Sequence, residues 1–229
     1  MESLHYLDIH SHLRSISDST VRVSSLSKEE ILKGESVGEY SSAGIHPWWI
    51  EDLTENDISE LKKKIEFLAR NNKLFGIGET GIDRLYPEFL NQQKDLFQWH
   101  FDLAESCHLP LIIHNVRSGS DFLELLKNLK PTTFWIFHDF RGNEDLVKSI
   151  LKLHSHCFFS FGLSIDNSPQ IRELLPHIPL ENLFLETDHQ KHLDIHDIYL
   201  RAAEQLKIDL DFLKAQMWHN FKKLSKSLH

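Results

Sequence analysis

The sequence predicts an α/β protein in which eight parallel strands close into a (β/α)8 barrel. Eight short apolar runs with strand character recur along the chain, and segments with helical periodicity separate the later ones. Strands that alternate with helices form parallel sheets with right-handed crossovers. The length of 229 residues suits one large domain, and no linker, low-complexity tract or internal repeat divides the sequence. We therefore expect a single domain over residues 1–229.

The eight predicted strands are joined by crossovers of unequal length. The strands lie at about residues 5–10, 20–24, 40–46, 74–79, 110–114, 133–138, 157–161 and 183–187. Too few residues separate His12 from Val21 for a complete crossover helix. The segment after Val23 offers only a short helix, for which Ser27 and Glu30 form a capping box. We therefore expect the early crossovers to be shortened.

The later helices are predicted from polar caps and from apolar residues three or four positions apart. Thr54 with Asp57 resembles a capping pair, and proline at position 87 suits a first helical turn. The expected helix starts are Thr54, Pro87, Ser118, Asn143, Ser168 and, for the two helices of the tail, about Ile195 onward. One face of each helix is then expected to pack against the sheet.

Six side chains that can bind a metal ion lie at, or just past, the C-terminal ends of predicted strands. They are His10, His12, Glu79, His114, His138 and Asp188. Alternate residues of a strand point to the same side, so His10 and His12 can aim two imidazoles at one point. A parallel barrel assembles its active site at the C-terminal ends of its strands. Taken singly, each residue could be an ordinary hydrogen-bonded residue at the end of a strand. Because all six occupy the same position relative to their strands, a shared metal site is favoured.

The number of candidate ligands bears on the number of ions. Imidazole and carboxylate ligands suit Zn, Mn and Fe, and carboxylates alone favour Mg and Mn. Four histidines and two carboxylates are more than one tetrahedral ion needs, and they can serve two ions if Glu79 bridges them. A two-ion site lowers the pKa of a shared water and neutralises charge that develops on phosphoryl oxygens. A site with a single bound ion remains the alternative.

Charge and cysteine content restrict the class of protein. The formal net charge of −9 argues against a broadly basic nucleic-acid-binding surface, although bound cations can still attract a phosphate substrate. Weak and non-specific DNA binding is therefore expected. The two cysteines, Cys107 and Cys157, form no disulfide framework and favour a reducing compartment. We expect a cytoplasmic protein with no membrane span, no secretory signal and no obligate protein partner.

Several segments resemble signatures of the TatD family of metal-dependent deoxyribonucleases. They are residues 8–13 (DIHSHL), 44–47 (GIHP), 76–83 (GIGETGID), 109–114 (LPLIIH), 185–188 (LETD) and 220–224 (NFKKL). The similarity runs in order over nearly the whole chain, which is shorter than typical family members. Because this family adopts an amidohydrolase-like TIM barrel, the resemblance implies the same fold here.

The resemblance also implies two divalent metal ions, Mg, Mn or Zn, that share Glu79. The implied ligand sets are His10, His12, Glu79 and Asp188 for one ion, and Glu79, His114 and His138 for the other. A metal-activated water would attack a phosphodiester, typically trimming DNA from a 3′ end. Asp188 would bind metal and accept the proton of that water, so Glu79 and Asp188 are the implied catalytic residues.

Three further residues are candidates for substrate binding. His46, just before Pro47, is a candidate contact to a phosphoryl oxygen, with a structural turn histidine as the alternative. Arg117 follows His114 one residue later than the family pattern places an arginine. Arg141 lies where the family favours a Phe-Ser-Gly segment and can bind phosphate bidentately, with a solvated loop arginine as the alternative.

Other residues near these motifs have two interpretations each. Trp48 and Trp49 can stack on a nucleobase or pack over the barrel mouth. Asp83 can orient a ligand or cap a turn. His189 and His192 are expected to be solvated at the entry of a helix that begins almost directly after Asp188. The loops that would form the substrate walls are short, which predicts an open pocket.

Three functions are consistent with these features. The leading hypothesis is a divalent-metal phosphodiesterase that acts on DNA as a 3′–5′ exonuclease. The second is a metal hydrolase of another small phosphoester or of an amide, because fold and metal ligands do not determine the substrate. The third is a non-catalytic barrel that binds metal, although the retention of all six ligand types argues against it.

Overall fold

The computed structural model describes residues 5–14, 18–190 and 194–225, so the predicted role of His192 lies outside the described residues. Eight strands form one parallel sheet in chain order, which confirms the predicted α/β barrel. The strands are β1 (Tyr6–Ser11), β2 (Thr20–Ser25), β3 (Tyr40–Ala43), β4 (Gly76–Asp83), β5 (Leu111–Val116), β6 (Trp135–Phe137), β7 (Cys157–Phe161) and β8 (Leu183–Leu185). All eight coincide with runs predicted from the sequence.

The barrel closes where the first strand meets the segment after the last. Ser11 and Asp188 form an isolated parallel bridge. The backbone N–H of His12 donates to the carbonyl oxygen of Asp188 at 2.8 Å, and the N–H of Asp188 donates to the carbonyl oxygen of His10 at 3.0 Å. Three predicted metal ligands are therefore held together by the backbone hydrogen bonds that close the barrel.

The helices lie between and after the strands. They are α1 (Lys28–Lys33), α2 (Glu55–Arg70), α3 (Leu90–Cys107), α4 (Gly119–Leu129), α5 (Glu144–Leu153), α6 (Ser164–Asn167), α7 (Pro169–Leu174), α8 (Ile195–Leu206) and α9 (Leu210–Ser225). Among the described residues no helix joins β1 to β2, and α1, which joins β2 to β3, has six residues. The prediction of shortened early crossovers is confirmed. None of the described helices is both long and apolar enough to cross a membrane.

Most of the predicted caps are present, and one is not. Thr54 with Asp57 forms the reciprocal capping box expected at the start of α2, and Asn143 accepts a backbone hydrogen bond at the start of α5. The helix α4 begins directly after Ser118 as predicted, but the Ser118 side chain makes no capping bond to it. Its hydroxyl instead donates to the carbonyl oxygen of Ile82 at 2.7 Å, which ties the start of α4 to β4.

The fourth strand is longer than predicted. The sequence indicated that the strand ends at Glu79, whereas β4 continues to Asp83. The register between β4 and β5 shifts between Ile77 and Thr80. Glu79 therefore lies in an irregular part of the strand interior and still carries its side chain to the candidate site.

A close approach of backbones accompanies this irregularity. A Cβ atom added at Gly81 would collide with the carbonyl oxygen of His114 on the neighbouring strand. Only glycine permits this approach without displacing β5. The position of His114 is therefore coupled to the absence of a side chain at residue 81.

Candidate metal centre

Glu79 is the central residue of the candidate site, and its side chain is almost fully buried. The two oxygens of its carboxylate lie within 3.3 Å of ring nitrogens from five histidines, which are His10, His12, His46, His114 and His138. A single carboxylate surrounded by five imidazoles needs positive charge, from protons or from metal ions, to be stable in a buried position.

The two oxygens of Glu79 face different sets of ligands. Oε2 lies 3.3 Å from Nε2 of His10 and 3.3 Å from Nε2 of His12. Each of these nitrogens is also 3.7 Å from Oδ1 of Asp188. The first set therefore consists of two imidazoles and two carboxylates that converge on one point.

The second set gathers around the other oxygen. Oε1 of Glu79 lies 2.9 Å from Nδ1 of His114 and 2.6 Å from Nε2 of His138. Glu79 thus stands between the two sets, as a bridging carboxylate requires. The fold brings together all six residues that the sequence predicts as ligands.

The buried nitrogens of this cluster fit metal ions better than they fit one another. Within the described part of the chain, neither ring nitrogen of His10 or of His138 has a hydrogen-bond partner of acceptable geometry. The short contact between His138 and Glu79 is an ion-pair distance without hydrogen-bond alignment. Burial, followed by the charge of His138, lowers the pKa of His10 to about 4 and keeps it neutral, the form that binds metals. Orphaned polar atoms inside such a donor set fit divalent cations.

The carboxylates of the site are held in their ionised form. Burial alone would raise the pKa of Glu79, but the surrounding histidines, His138 first, outweigh burial and keep that pKa well below its usual value. The same balance of burial against histidine charge lowers the pKa of Asp188. Burial also opposes protonation of His138, yet the charge of Glu79 and the contact with Glu186 raise its pKa well above the usual value.

Two outer carboxylates lie beside the histidines of the second set. Oδ2 of Asp83 lies 3.1 Å from Nε2 of His114, and Oε1 of Glu186 lies 3.5 Å from Nδ1 of His138. Carboxylates in this position turn the opposite ring nitrogen towards a metal and make it more basic. Asp83 was among the sequence candidates for this role, with a turn cap as its alternative, and it also accepts the N–H of Leu85.

Glu186 was not predicted from the sequence as a site residue. It is fully buried, accepts the backbone N–H of Asp139 at 2.8 Å and accepts the hydroxyl of Ser160. Burial raises its pKa to about 7. The sequence feature that could have indicated this role is the position of Glu186, directly after the apolar run of β8 and two residues before Asp188.

His46 differs from the other four histidines around Glu79 in the hydrogen bonds that its ring makes. It follows β3 and begins the 3₁₀ helix Pro47–Asp52. Its Nδ1 accepts the backbone N–H of Trp48 at 3.0 Å, so in the neutral ring the proton lies on Nε2. That Nε2–H faces Oε1 of Glu79 at 2.9 Å. His46, Glu79 and His114 have the spacing of a metal group, but this tautomer makes His46 a hydrogen-bond donor.

A cavity of about 580 Å³ opens above the cluster. Trp48, Arg141 and His189 line it with side chains that are at least half exposed, which fits the prediction of an open pocket. The guanidinium of Arg141 is paired with Asp139, with Nη2 2.7 Å from Oδ2. Arg117 follows β5, is exposed and does not line the cavity.

His189 and Trp49 border the same cavity. His189 is largely solvent-exposed, as the sequence indicated, and its Nδ1 lies 2.6 Å from Oδ2 of Asp188. Trp49 is partly buried and packs against the core. The mouth of the barrel therefore combines aromatic rings and imidazoles with few cations.

Comparisons with known proteins identify similar sequences. Residues 10–226 match the family described as TatD related DNase. The chain is 34% identical over 156 residues to the uncharacterized metal-dependent hydrolase MG009 of Mycoplasma genitalium, covering 65% of this chain and 58% of the relative. It is 29% identical over 155 residues to the uncharacterized metal-dependent hydrolase TatD of Mycobacterium tuberculosis, covering 65% and 57%. The chain thus spans less than two thirds of the length of these bacterial relatives.

A human relative and two solved structures extend the comparison. The chain is 30% identical over 165 residues to the human 3′-5′ RNA nuclease TATDN2, covering 70% of this chain and 21% of that protein. The crystal structure of the TatD homologue YJJV from Escherichia coli superposes with a TM-score of 0.80 at 20% identity, covering 96% of this chain and 97% of the other. A TatD family hydrolase from Entamoeba histolytica gives 0.77 at 18% identity, covering 97% and 98%. These structures support the barrel fold.

Proposed function

Because the chain belongs to the family of TatD-related DNases, we propose that it is a divalent-metal-dependent phosphodiesterase that removes nucleotides from a 3′ end of DNA. The observation that supports this proposal most is the position of Glu79, whose two oxygens face different imidazoles. The hydrolase and nuclease names of the relatives support the same reaction class. We also propose a single catalytic domain over residues 1–229 and a cytoplasmic location.

The ligand sets are assigned as the resemblance implies. They are His10, His12, Glu79 and Asp188 for one ion, and Glu79, His114 and His138 for the other. Ligand spacing also places His138 with His10 and Asp188. Bound Mg, Mn or Zn ions would supply a water of lowered pKa and neutralise charge on the phosphoryl group. Neutral His10, and the outer carboxylate that faces Nε2 of His114, support this assignment.

Asp188 is the proposed proton acceptor of the reaction. Its pKa lies below the usual value because histidine charges outweigh burial, so the carboxylate is ionised at neutral pH. Oδ1 faces His10 and His12, while Oδ2 is held by His189. The proton of the attacking water passes to this carboxylate. Because its intrinsic basicity is low, geometry rather than a raised pKa makes the transfer effective.

The tautomer of His46 and the exposure of Arg141 and Arg117 support their proposed contacts with the substrate. His46 presents Nε2–H to the centre of the site and can donate it to a phosphoryl oxygen. Arg141 can exchange Asp139 for a substrate phosphate, since its guanidinium already lies on the cavity wall. Arg117 is exposed and does not line the cavity, so we propose that it contacts a phosphate outside the cavity.

RNA is a second candidate substrate, because the human relative is named as an RNA nuclease. Small phosphoesters and amides remain alternatives, as does a barrel that binds metal without catalysis. A panel of 3′-labelled single-stranded DNA, the matching RNA, a dinucleotide and an amide separates these possibilities. Metal binding without hydrolysis of any member would favour the non-catalytic barrel.

The direct test uses Glu79→Ala and Asp188→Ala with metal content and activity measured together. Both variants should lose cleavage of the labelled DNA, and Glu79→Ala should hold fewer ions per chain than the wild type. Glu60→Ala removes an exposed carboxylate on α2 and should keep wild-type rates and metal content. Wild-type rates in either site variant would contradict the two-ion proposal, and circular dichroism excludes misfolding as the cause of a loss.

A further inference from the structure

Trp48 presents an aromatic face to the cavity above the candidate metal centre. Its side chain is 51% exposed, although the neighbouring residues Pro47 and Ile50 are buried. Exposure of a large aromatic side chain at a cavity wall is a feature of ligand-binding surfaces. Its location in the cavity wall, and not its exposure alone, makes this indole a candidate for contact with a ligand.

Two hydrogen bonds determine the orientation of this residue. Its indole Nε1–H donates to Oδ2 of Asp83 at 2.7 Å, and its backbone N–H donates to Nδ1 of His46 at 3.0 Å. Asp83 is fully buried and also contacts His114. Trp48 is thus bonded to the same groups that orient the candidate site, which holds its ring in one place.

The ring lies beside the imidazoles at the centre of the site. Its centroid is 4.8 Å from that of His46 and 5.5 Å from that of His114, both in edge-to-face geometry. In each contact one of the two rings presents its edge, and the half-exposed indole keeps aromatic surface open towards the cavity that it lines. A flat group bound next to the reacting phosphate can stack on that surface.

The charge of the cavity favours such a contact. Among the described residues that line it, Arg141 is the only lysine or arginine, and Asp139 pairs with its guanidinium. The whole chain carries a formal charge of −9. Binding through backbone phosphates depends on neutralisation by cationic side chains, which are scarce here. Stacking of bases on aromatic side chains does not depend on that charge and tolerates any base.

We propose that Trp48 is a stacking platform for an unpaired nucleobase of the nucleotide next to the scissile phosphate. The substrate class is then single-stranded nucleic acid or a frayed end, and phosphoesters without a base are poorer substrates. This inference rests on the proposed phosphodiesterase function and adds a residue that selects the substrate.

The test compares two oligonucleotides that differ in a single base. One is a 3′-labelled single strand with all its bases, and the other has an abasic residue next to the bond that is cleaved. Wild type should cleave the complete strand roughly 5- to 150-fold more efficiently in kcat/KM, the range expected for one stacked base. Trp48→Ala should lose this preference by slowing on the complete strand alone. Trp48→Phe should keep part of it, since a smaller ring remains.

The control and the binding measurement separate stacking from damage to the site. Phe67→Ala removes an aromatic side chain that is also 51% exposed but does not line the cavity, and it should keep the full preference. An oligonucleotide with 2-aminopurine at the stacked position should change its fluorescence when it binds to wild type. It should show no such change when it binds to Trp48→Ala. Running both assays with DNA and with RNA identifies which nucleic acid provides the base.

The outcomes distinguish the inference from the proposed function. Equal kcat/KM on the two strands by wild type, or an equal loss on both in Trp48→Ala, refutes stacking and leaves the phosphodiesterase proposal intact. Absence of cleavage of both strands by wild type refutes the proposed function, and the inference fails with it.

Discussion

Mild acid should destabilise this fold through His100, a fully buried histidine on α3. Its Nε2 accepts the backbone N–H of Ile45 at 3.0 Å, and its Nδ1 donates to the carbonyl oxygen of Leu96 at 2.7 Å. The neutral ring satisfies both bonds, whereas a protonated ring would lose the bond to Ile45. Burial lowers the pKa of His100 to about 3. Folding therefore requires this residue to stay neutral.

The magnitude follows from the difference in pKa between the folded and unfolded chains. An unfolded histidine has a pKa of about 6.5. Because the folded value is lower, the unfolded chain binds more protons, and stability is lost as the pH falls below the unfolded pKa. From about pH 7.5 to about pH 5 the loss from this residue is about 2 kcal/mol, and it grows by about 1.4 kcal/mol per pH unit down to the folded pKa.

Urea unfolding at these two pH values, with chelator present throughout, measures this loss. The free energy of unfolding of wild type should fall by about 2 kcal/mol more than that of His100→Gln, which cannot titrate. Loss of packing lowers the stability of the variant at both pH values and cancels in the comparison. His219→Gln, which alters an exposed histidine on α9, should keep the wild-type pH dependence. Equal pH dependence in wild type and His100→Gln would refute the reasoning.

Three other perturbations test the candidate site and the barrel. Glu186→Gln should weaken metal binding by about 10- to 100-fold because His138 loses its outer carboxylate, and unchanged affinity by calorimetry would contradict this role. Gly81→Ala should cost at least about 3 kcal/mol in urea unfolding because its Cβ collides with the carbonyl oxygen of His114. At Gly34 a Cβ meets no atom, so alanine there should cost less, and equal losses would argue against the collision. Free Mn²⁺ or Zn²⁺ at about 100 times its dissociation constant should stabilise the fold by about 2.7 kcal/mol, reversibly with EDTA. An unchanged melting temperature would argue against a folded-state metal site.

The barrel was predictable because its signals are local. Each strand appears as a short apolar run, since parallel strands covered on both faces read as continuous hydrophobic segments. The capping boxes at Ser27 and Thr54 depend on residues three positions apart and were confirmed. The end of β4 was not predictable, because it depends on a register shift against β5 that only the paired strands define.

Within the candidate site, residue type and strand position were enough to select six candidate ligands that the fold brings together. The environment of each side chain could not be predicted from the sequence. Glu186 looks like an ordinary strand residue until the fold buries it against His138 and Ser160. The donor role of His46 depends on a backbone N–H that reaches its ring from Trp48. Tautomers and outer hydrogen bonds arise from contacts across the barrel, which no local pattern encodes.

The closure of the barrel at Ser11 and Asp188 has a consequence for biogenesis. Asp188 is synthesised more than a hundred and seventy residues after His10 and His12, to which it is hydrogen-bonded across that closure. Pairing over such a sequence separation forms late and slowly. A nascent or proteolysed chain that lacks Asp188 can hold the imidazoles but not the proposed proton acceptor. The proposed proton acceptor therefore lies beside these two imidazoles only after β1 has paired with the segment that follows β8.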